Sequence, residues 1–221
     1  MKIFINEKTI KIVDQQTIHN TLDYKVVFSG TEELISKNLK GDVLIKNASP
    51  IHIQRLIKLL EIKKLKKLIS ITLATDKPEF LKDFFKDEFK IIKASGGLVV
   101  KEDKFLMIYR LGKWDLPKGK LKKKEDPLKG GKREVEEECG VIVEILEKIC
   151  STWHTYIRKD KKILKKTDWY LMSSINDAQM APQFEENIEE VRWMTKEEVE
   201  LALANSYKSI EMVFEEYHLK F

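Results

Sequence analysis

The stretch Gly119-Lys-Leu-Lys-Lys-Lys-Glu125-Asp-Pro-Leu-Lys-Gly-Gly-Lys-Arg133-Glu134-Val135-Glu136-Glu137-Glu138-Cys139-Gly140-Val141 decides how the rest of the chain is read. Asp126 suits an N-cap, and Pro127 suits the first helical position, where its missing N–H costs nothing. Gly140 suits the left-handed position just past a helix end. At about 3.6 residues per turn, Leu128, Gly131, Val135 and Cys139 fall on one face, and Glu134, Glu137 and Glu138 share a neighbouring arc of about 100°. Carboxylates so close repel, at a few tenths of a kcal/mol per pair, and a multivalent cation removes that repulsion. Hard oxygen donors of this kind suit Mg²⁺, with Mn²⁺ as a substitute. The carboxylates alone read more readily as an ordinary solvated helix face, so the decision rests on the residues around them.

Those residues follow the pattern G-x5-E-x7-R-E-U-x-E-E-x-G-U, U being apolar, and every specified position is filled, by Gly119, Glu125, Arg133, Glu134, Val135, Glu137, Glu138, Gly140 and Val141. The segment resembles the signature of the Nudix (MutT-like) hydrolases. The likeness extends over roughly 92–205, through Gly96-Gly97, the lead-in Trp114-Asp-Leu-Pro-Lys-Gly119 and Glu189-Glu-Val-Arg-Trp193. It implies an α+β protein whose C-terminal part, 91–221, is an α/β/α sandwich with a mixed sheet. The activity it implies is divalent-metal-dependent hydrolysis of a phosphoanhydride in a nucleoside diphosphate-linked or polyphosphate substrate.

By the same resemblance Glu134, Glu137, Glu138 and the Gly119 carbonyl hold the metal, and the general base is Glu134 or Glu138, or a loop carboxylate, Glu186 ahead of Glu185. Arg133 orients a carboxylate, and Glu125 fixes the loop-to-helix geometry. Lys118 is the candidate phosphate contact, with His154 and Tyr156 as candidate substrate contacts. Gly130-Gly131 stand where relatives carry small residues such as Ala, and two interior glycines are expected to weaken the helix by roughly 1 kcal/mol each. The Pro117-Lys118-Gly119 lead-in resembles that of dinucleoside polyphosphate and diphosphoinositol polyphosphate hydrolases. Hydrolysis of ADP-ribose, an RNA 5′-pyrophosphohydrolase activity and a non-catalytic nucleotide-sensing role are the alternatives.

Residues 1–90 show no such likeness and read as a small α/β domain of their own. Met1–Ile5 with Thr9–Val13 suggests a hairpin, Tyr24–Phe28, Asp42–Lys46 and Leu68–Leu73 strands, and Thr31–Asn38 a helix capped by Thr31. Further helices are expected from Ser49-Pro50 and from Lys77-Pro78. His19 and His52 stand alone and read as structural or surface residues. In the second part, Lys93–Val100 and Lys104–Arg110 suggest a hairpin, and Val141–Trp153, Lys166–Ser173 and Ile188–Met194 strands. Thr195 with Glu198 forms a capping box, and Asn205 or Ser206 is the expected cap of a last helix.

The remaining composition sets limits. The chain has 221 residues and 43% hydrophobic content, which excludes a disordered or collagen-like class. No apolar run approaches the roughly 18 residues of a membrane span, and the start shows no leader pattern, so a cytoplasmic location is expected. Cys139 and Cys150 are too few for a disulfide framework. The net charge is +5 with only five Arg among 41 basic residues, a Lys bias that by itself argues little for a nucleic-acid partner, and RNA stays an open alternative. The sequence is silent on whether the chain forms a homodimer.

Overall fold

A computed structural model describes residues 1–63 and 65–221. They pack as two units: Met1–Ile91 with Trp153–Leu164, and Ile92–Thr152 with Lys165–Phe221. The segment 153–164, which follows in sequence long after the first unit's main stretch, packs with that unit.

In the first unit, β1 (Lys2–Ile5) and β2 (Lys8–Asp14) form the expected hairpin. β2 then runs parallel to β5 (Leu68–Thr75), β5 to β4 (Gly41–Ile45), and β4 to β3 (Val26–Phe28). The helix α1 (Pro50–Ile62) lies between β4 and β5 in the chain, and α2 (Pro78–Asp87) follows β5. Alternation fills the core: Ile3, Ile5, Ile10, Ile12, Val43, Ile45, Ile71 and Leu73 join Ile53, Leu56 and Leu60 of α1 and Leu81 and Phe85 of α2. His52 is structural: it is 3% exposed and its Nδ1 meets both Ser49 N and Ser49 Oγ, at 3.0 and 2.9 Å, in a capping box.

The helix expected over 31–38 is absent; only Ser36–Asn38 forms a single 3-10 turn. The cause is Glu32, whose carboxylate reaches back to accept from Ser29 N, Ser29 Oγ and Gly30 N at 2.8, 2.8 and 3.1 Å. A side chain spent on the preceding turn gives the backbone a local alternative to a helix. Leu34 and Leu39 on either side of the 3-10 turn are drawn into the core instead.

The second unit has the strand order β12-β7-β6-β11-β10, from β6 (Lys90–Lys101), β7 (Lys104–Arg110), β10 (Ile142–Arg158), β11 (Lys161–Asn176) and β12 (Ile188–Met194). Two short strands, β8 (Lys113–Asp115) on β7 and β9 (Lys118–Lys120) on β6, lie in the lead-in. Successive residues point to opposite faces. Val99, Leu106, Ile108, Tyr170 and Met172 meet Val135 and Cys139 of α3 (Pro127–Cys139). Leu98, Phe105, Met107, Trp169 and Leu171 meet Val199 of α4 (Lys196–Leu203) and Ile210, Val213 and Phe214 of α5 (Lys208–Lys220). One sheet between two helical layers is the expected α/β/α sandwich.

The cap of α5 differs from expectation. Tyr207 occupies the N-cap position, while Ser206 Oγ donates to the Trp114 carbonyl at 2.7 Å and Asn205 Nδ2 to that of Gly112 at 3.0 Å. Both side chains fasten the β7–β8 turn rather than the helix. Leu128 is also 43% exposed instead of sharing the buried face of α3.

The glycines of α3 are required by packing. A Cβ on Gly131 would lie 2.6 Å from Ser95 Oγ, and one on Gly130 would lie 2.3 Å from Leu121 Cδ2. Ser95 is 0% exposed and its hydroxyl donates to the Asp168 carbonyl at 3.1 Å, so it has little room to yield. Gly131→Ala gains about 1 kcal/mol of helix propensity and loses more to overpacking. The expected outcome is a second-unit urea transition lowered by about 1–2 kcal/mol; a transition raised by about 1 kcal/mol would show propensity winning.

Candidate active site

Helix α3 begins as read: Asp126 accepts from Leu128 N and Lys129 N at 3.0 and 3.1 Å, and Gly140 ends it at φ +65°. Its carboxylate face meets β9. Lys118 N donates to Glu138 Oε2 at 2.8 Å. At the next residue, a Cβ on Gly119 would sit 1.7 Å from Glu134 Oε2, so only a glycine lets the Glu134 carboxylate lie on that backbone. Two carboxylates one helical turn apart thus meet consecutive residues of one strand.

The third carboxylate is held differently. Arg133 forms a fork on Glu125, Nε to Oε1 at 2.8 Å and Nη2 to Oε2 at 2.9 Å. The same guanidinium reaches Glu134 at 2.7 Å and Glu137 at 2.8 Å. Glu137 is 48% exposed and turned toward Arg133. The expected orienting role of Arg133 is thus exercised on two carboxylates at once. Glu125 Oε2 also accepts from Lys122 N at 2.7 Å, tying the preceding loop to the helix.

Burial sets the electrostatics. Glu138 is 2% exposed, and burial pushes its carboxyl up to about 7, with Lys118 and Arg110 acting against that rise. Arg110 Nη1 stands 3.8 Å from Glu138 Oε1, too far for a hydrogen bond. Burial also raises the Glu134 carboxyl, opposed by Arg133. The opposite holds at Glu125, which the Arg133 fork brings down to about 2.

Three basic side chains gather around Glu138. Lys118 Nζ is paired with Asp115 Oδ2 at 2.7 Å, and both are nearly buried. Lys165, on β11, is brought down to about 8, first by burial and then by the charges of Lys118 and Arg110, while Asp115 and Glu138 act the other way. Its overall exposure is intermediate although its ammonium is surrounded, as expected of a long side chain whose head alone is enclosed. Sequence reasoning assigned no role to Asp115 or Arg110, the one inside the quoted lead-in and the other one of five arginines in a lysine-rich chain. Lys165 belongs to a basic cluster, Arg158-Lys159 with Lys161, Lys162, Lys165 and Lys166, which reads from sequence equally as a phosphate-binding group and as a charged hairpin tip.

Glu186, His154 and Tyr156 are the remaining candidates. The Lys122–Lys124 run is an exposed loop. Glu186 is exposed on the 3-10 turn Phe184–Glu186, whose Gln183 N donates to the Glu138 carbonyl at 3.1 Å. His154 and Tyr156 belong to the first unit, their rings 5.9 Å apart. Cys139 is fully buried and its thiol is raised by that burial, as a core residue should be.

The NUDIX domain family model matches residues 91–213, more than half of the chain. The chain belongs to the Nudix family. It is a Nudix hydrolase, of the pyrophosphohydrolase class, and the family acts on small nucleotide substrates and generally uses divalent cations. Similar solved structures include a Nudix hydrolase of Nitrosomonas europaea at 18% identity, covering 59% of this chain and 90% of that one with a TM-score of 0.47. A MutT Nudix hydrolase of Burkholderia pseudomallei has 20% identity, covering 57% and 98%, TM-score 0.46. The C. elegans Ap4A hydrolase binary complex has 19% identity, covering 58% and 96%, TM-score 0.44. No helix among the described residues is long and apolar enough to cross a membrane.

Among the described residues, no group of three or more His, Cys, Asp and Glu stands close enough to form a metal site as it is. Arg133 is in contact with both Glu134 and Glu137, at 2.7 and 2.8 Å. The donors nevertheless suit a hard divalent cation: the Glu134 and Glu138 carboxylates of α3 lie against the backbone of β9, and the buried Glu138 has only a long ion pair, 3.8 Å, with Arg110.

The Glu125–Arg133 fork is testable by pH. The folded Glu125 carboxyl lies near 2, below its ordinary value of 4.5, so its contribution is present above about 4.5 and is lost as pH falls toward 2. Glu125→Gln is expected to cost about 1–2 kcal/mol at pH 7, a charge-assisted bond discounted for solvent screening. Urea unfolding at stepwise lower pH should show the gap to the parent closing between pH 4.5 and 2; a constant gap would refute the fork's role.

Proposed function

We propose that this Nudix hydrolase is a cytoplasmic Mg²⁺-dependent enzyme that cleaves a phosphoanhydride in a substrate with three or more linked phosphates, such as a dinucleoside polyphosphate. The observation that carries the reading is the enclosed Lys165 beside Glu138. Lys118 is committed to Asp115, and Arg110 stands 3.8 Å from Glu138, so Lys165 and Arg110 are the cationic groups left to meet phosphates that extend past the cation. That favours an extended polyanion over a single diphosphate.

Glu134 and Glu138 would hold the cation, with the Gly119 carbonyl beside them and Glu137 available once Arg133 releases it. Bound there, a divalent cation supplies neutralisation of phosphate oxygens and a more acidic water. Lys118 fixes Asp115 by its ammonium and Glu138 by its amide, so it positions the acid instead of offering a free phosphate contact. Lys165, charged at neutral pH with its value near 8, is the better phosphate contact. Glu134, Glu138 or Glu186 takes the proton from water, and Glu186→Gln separates the last from the helix carboxylates: loss of turnover with metal affinity kept assigns the base to Glu186.

Glu138→Gln is expected to lower kcat by at least about 10² at saturating Mg²⁺, because a charge facing the transition state is lost. Glu136, which accepts from Val143 N at 3.4 Å on another side of the helix, gives a near-silent Gln control. Retained turnover in Glu138→Gln would refute the metal helix. For the substrate, kcat/KM for diadenosine tetraphosphate should exceed that for ADP-ribose under identical Mg²⁺, and Lys165→Met should narrow the difference. A preference for ADP-ribose would overturn the polyphosphate reading and leave the metal helix standing.

A further inference from the structure

The basic charge of the chain is segregated. The first unit carries 21 Lys and Arg against 13 Asp and Glu, and the second unit 20 against 23. A lysine bias spread evenly by composition would not leave one unit at net +8 and the other at −3. The excess therefore belongs to the first unit, which holds none of the Nudix carboxylates.

Topology concentrates that excess at one end of the first unit's sheet. Strands β2, β5, β4 and β3 are mutually parallel, so their starts share one end. Lys8 opens β2, Lys25 precedes β3, Lys40 precedes β4, and Lys66-Lys67 precede β5. Strand β1 runs antiparallel to β2 and parallel to the end of β10, with Phe4 opposite His154. The turn after Arg158, with Lys159, Lys161 and Lys162, is therefore at the same end. Lys162 is pinned there by Glu61 of α1 at 2.9 Å.

Two hollows open on this end. One, of about 340 Å³, is lined by Lys37, Lys40, Lys66, Lys67 and Ser36 with two leucines, and no carboxylate. Lys63 Nζ donates to Ser36 Oγ at 3.2 Å on its rim. Among the described residues none of those four lining lysines has an ion-pair partner. The other, of about 120 Å³, is lined by the Tyr156 and Phe89 rings, Ile57, Leu60 and Lys162. With strands about 4.8 Å apart, the end from β3 to β10 spans about 24 Å. That is too long for one phosphate and suits a chain of them.

We propose that this end of the first unit binds single-stranded nucleic acid, its lysines following the phosphodiester backbone and Tyr156 offering a ring for a base. The chemistry is that of a positive track with an aromatic platform, which grips a strand with little sequence preference. The inference is independent of the substrate proposed for the metal helix.

The experiment measures fluorescence anisotropy of a labelled 20-nucleotide single-stranded RNA, and of the matching DNA, with the full chain. Both strands should bind at 50 mM salt, with affinity falling on the order of 10²-fold by 200 mM as about five phosphate contacts are screened. The quadruple change Lys37→Glu, Lys40→Glu, Lys66→Glu, Lys67→Glu should lower affinity at least about tenfold while hydrolysis of a small nucleotide is unchanged. If that variant fails to fold by circular dichroism, Arg158→Glu with Lys159→Glu, at the exposed turn, must weaken binding instead. Tyr156→Ala should weaken both strands with the salt slope kept. Absence of binding at 50 mM salt, binding indifferent to these changes, or inorganic tripolyphosphate displacing the strand at equal phosphate concentration would each overturn the proposal.

Discussion

The hydrogen bond from Lys118 N to Glu138 Oε2, with the Glu134 carboxylate against Gly119, is the contact on which the site depends. It joins the lead-in strand β9 to the carboxylate face of α3, and β9 is held in turn by β6, Ser95 opposite Gly119. The helix must come close for this, and Gly131 over Ser95 and Gly130 over Leu121 allow it. Asp115 and Lys118, carried by the same lead-in, come within electrostatic reach of Lys165 on β11. Energetically the arrangement is costly alone: a buried Glu138 and an enclosed Lys165 are both displaced from their ordinary ionisation. Such displacement concentrates where chemistry is done.

Much of this was legible in the sequence because it is local. Asp126-Pro127 and Gly140 announce both ends of α3, and the spacing of Glu134, Glu137 and Glu138 announces its acidic face. Alternating strands and the Thr195–Glu198 capping box are legible for the same reason, since periodicity and caps are written within a few residues. The family signature adds Arg133 and Glu125, whose pairing spans eight residues and is a property of the loop preceding the helix.

What escaped depends on contacts between distant residues. Nothing near Glu32 shows that its carboxylate will turn back to Ser29 and remove a helix. Asn205 and Ser206 have ideal capping side chains, yet partners more than ninety residues away claim them. Gly130-Gly131 look like a local weakness and are a tertiary requirement. Lys165 is legible only as a member of a basic cluster, and the fold brings it under the charges of Arg110 and Asp115. The hairpin 153–164 is sequence-adjacent to the Nudix strands, but its Trp153 and Leu164 enter the core of the first unit.

The central claim is that Glu134 and Glu138, set on β9, are metal ligands. Anomalous diffraction from crystals soaked in Mn²⁺ tests it directly. The account predicts a peak bounded by the Glu134 and Glu138 carboxylates and the Gly119 carbonyl, with Arg133 drawn off Glu134 while keeping its fork on Glu125. A peak elsewhere, or none there with Arg133 still bridging Glu134 and Glu137, would contradict it.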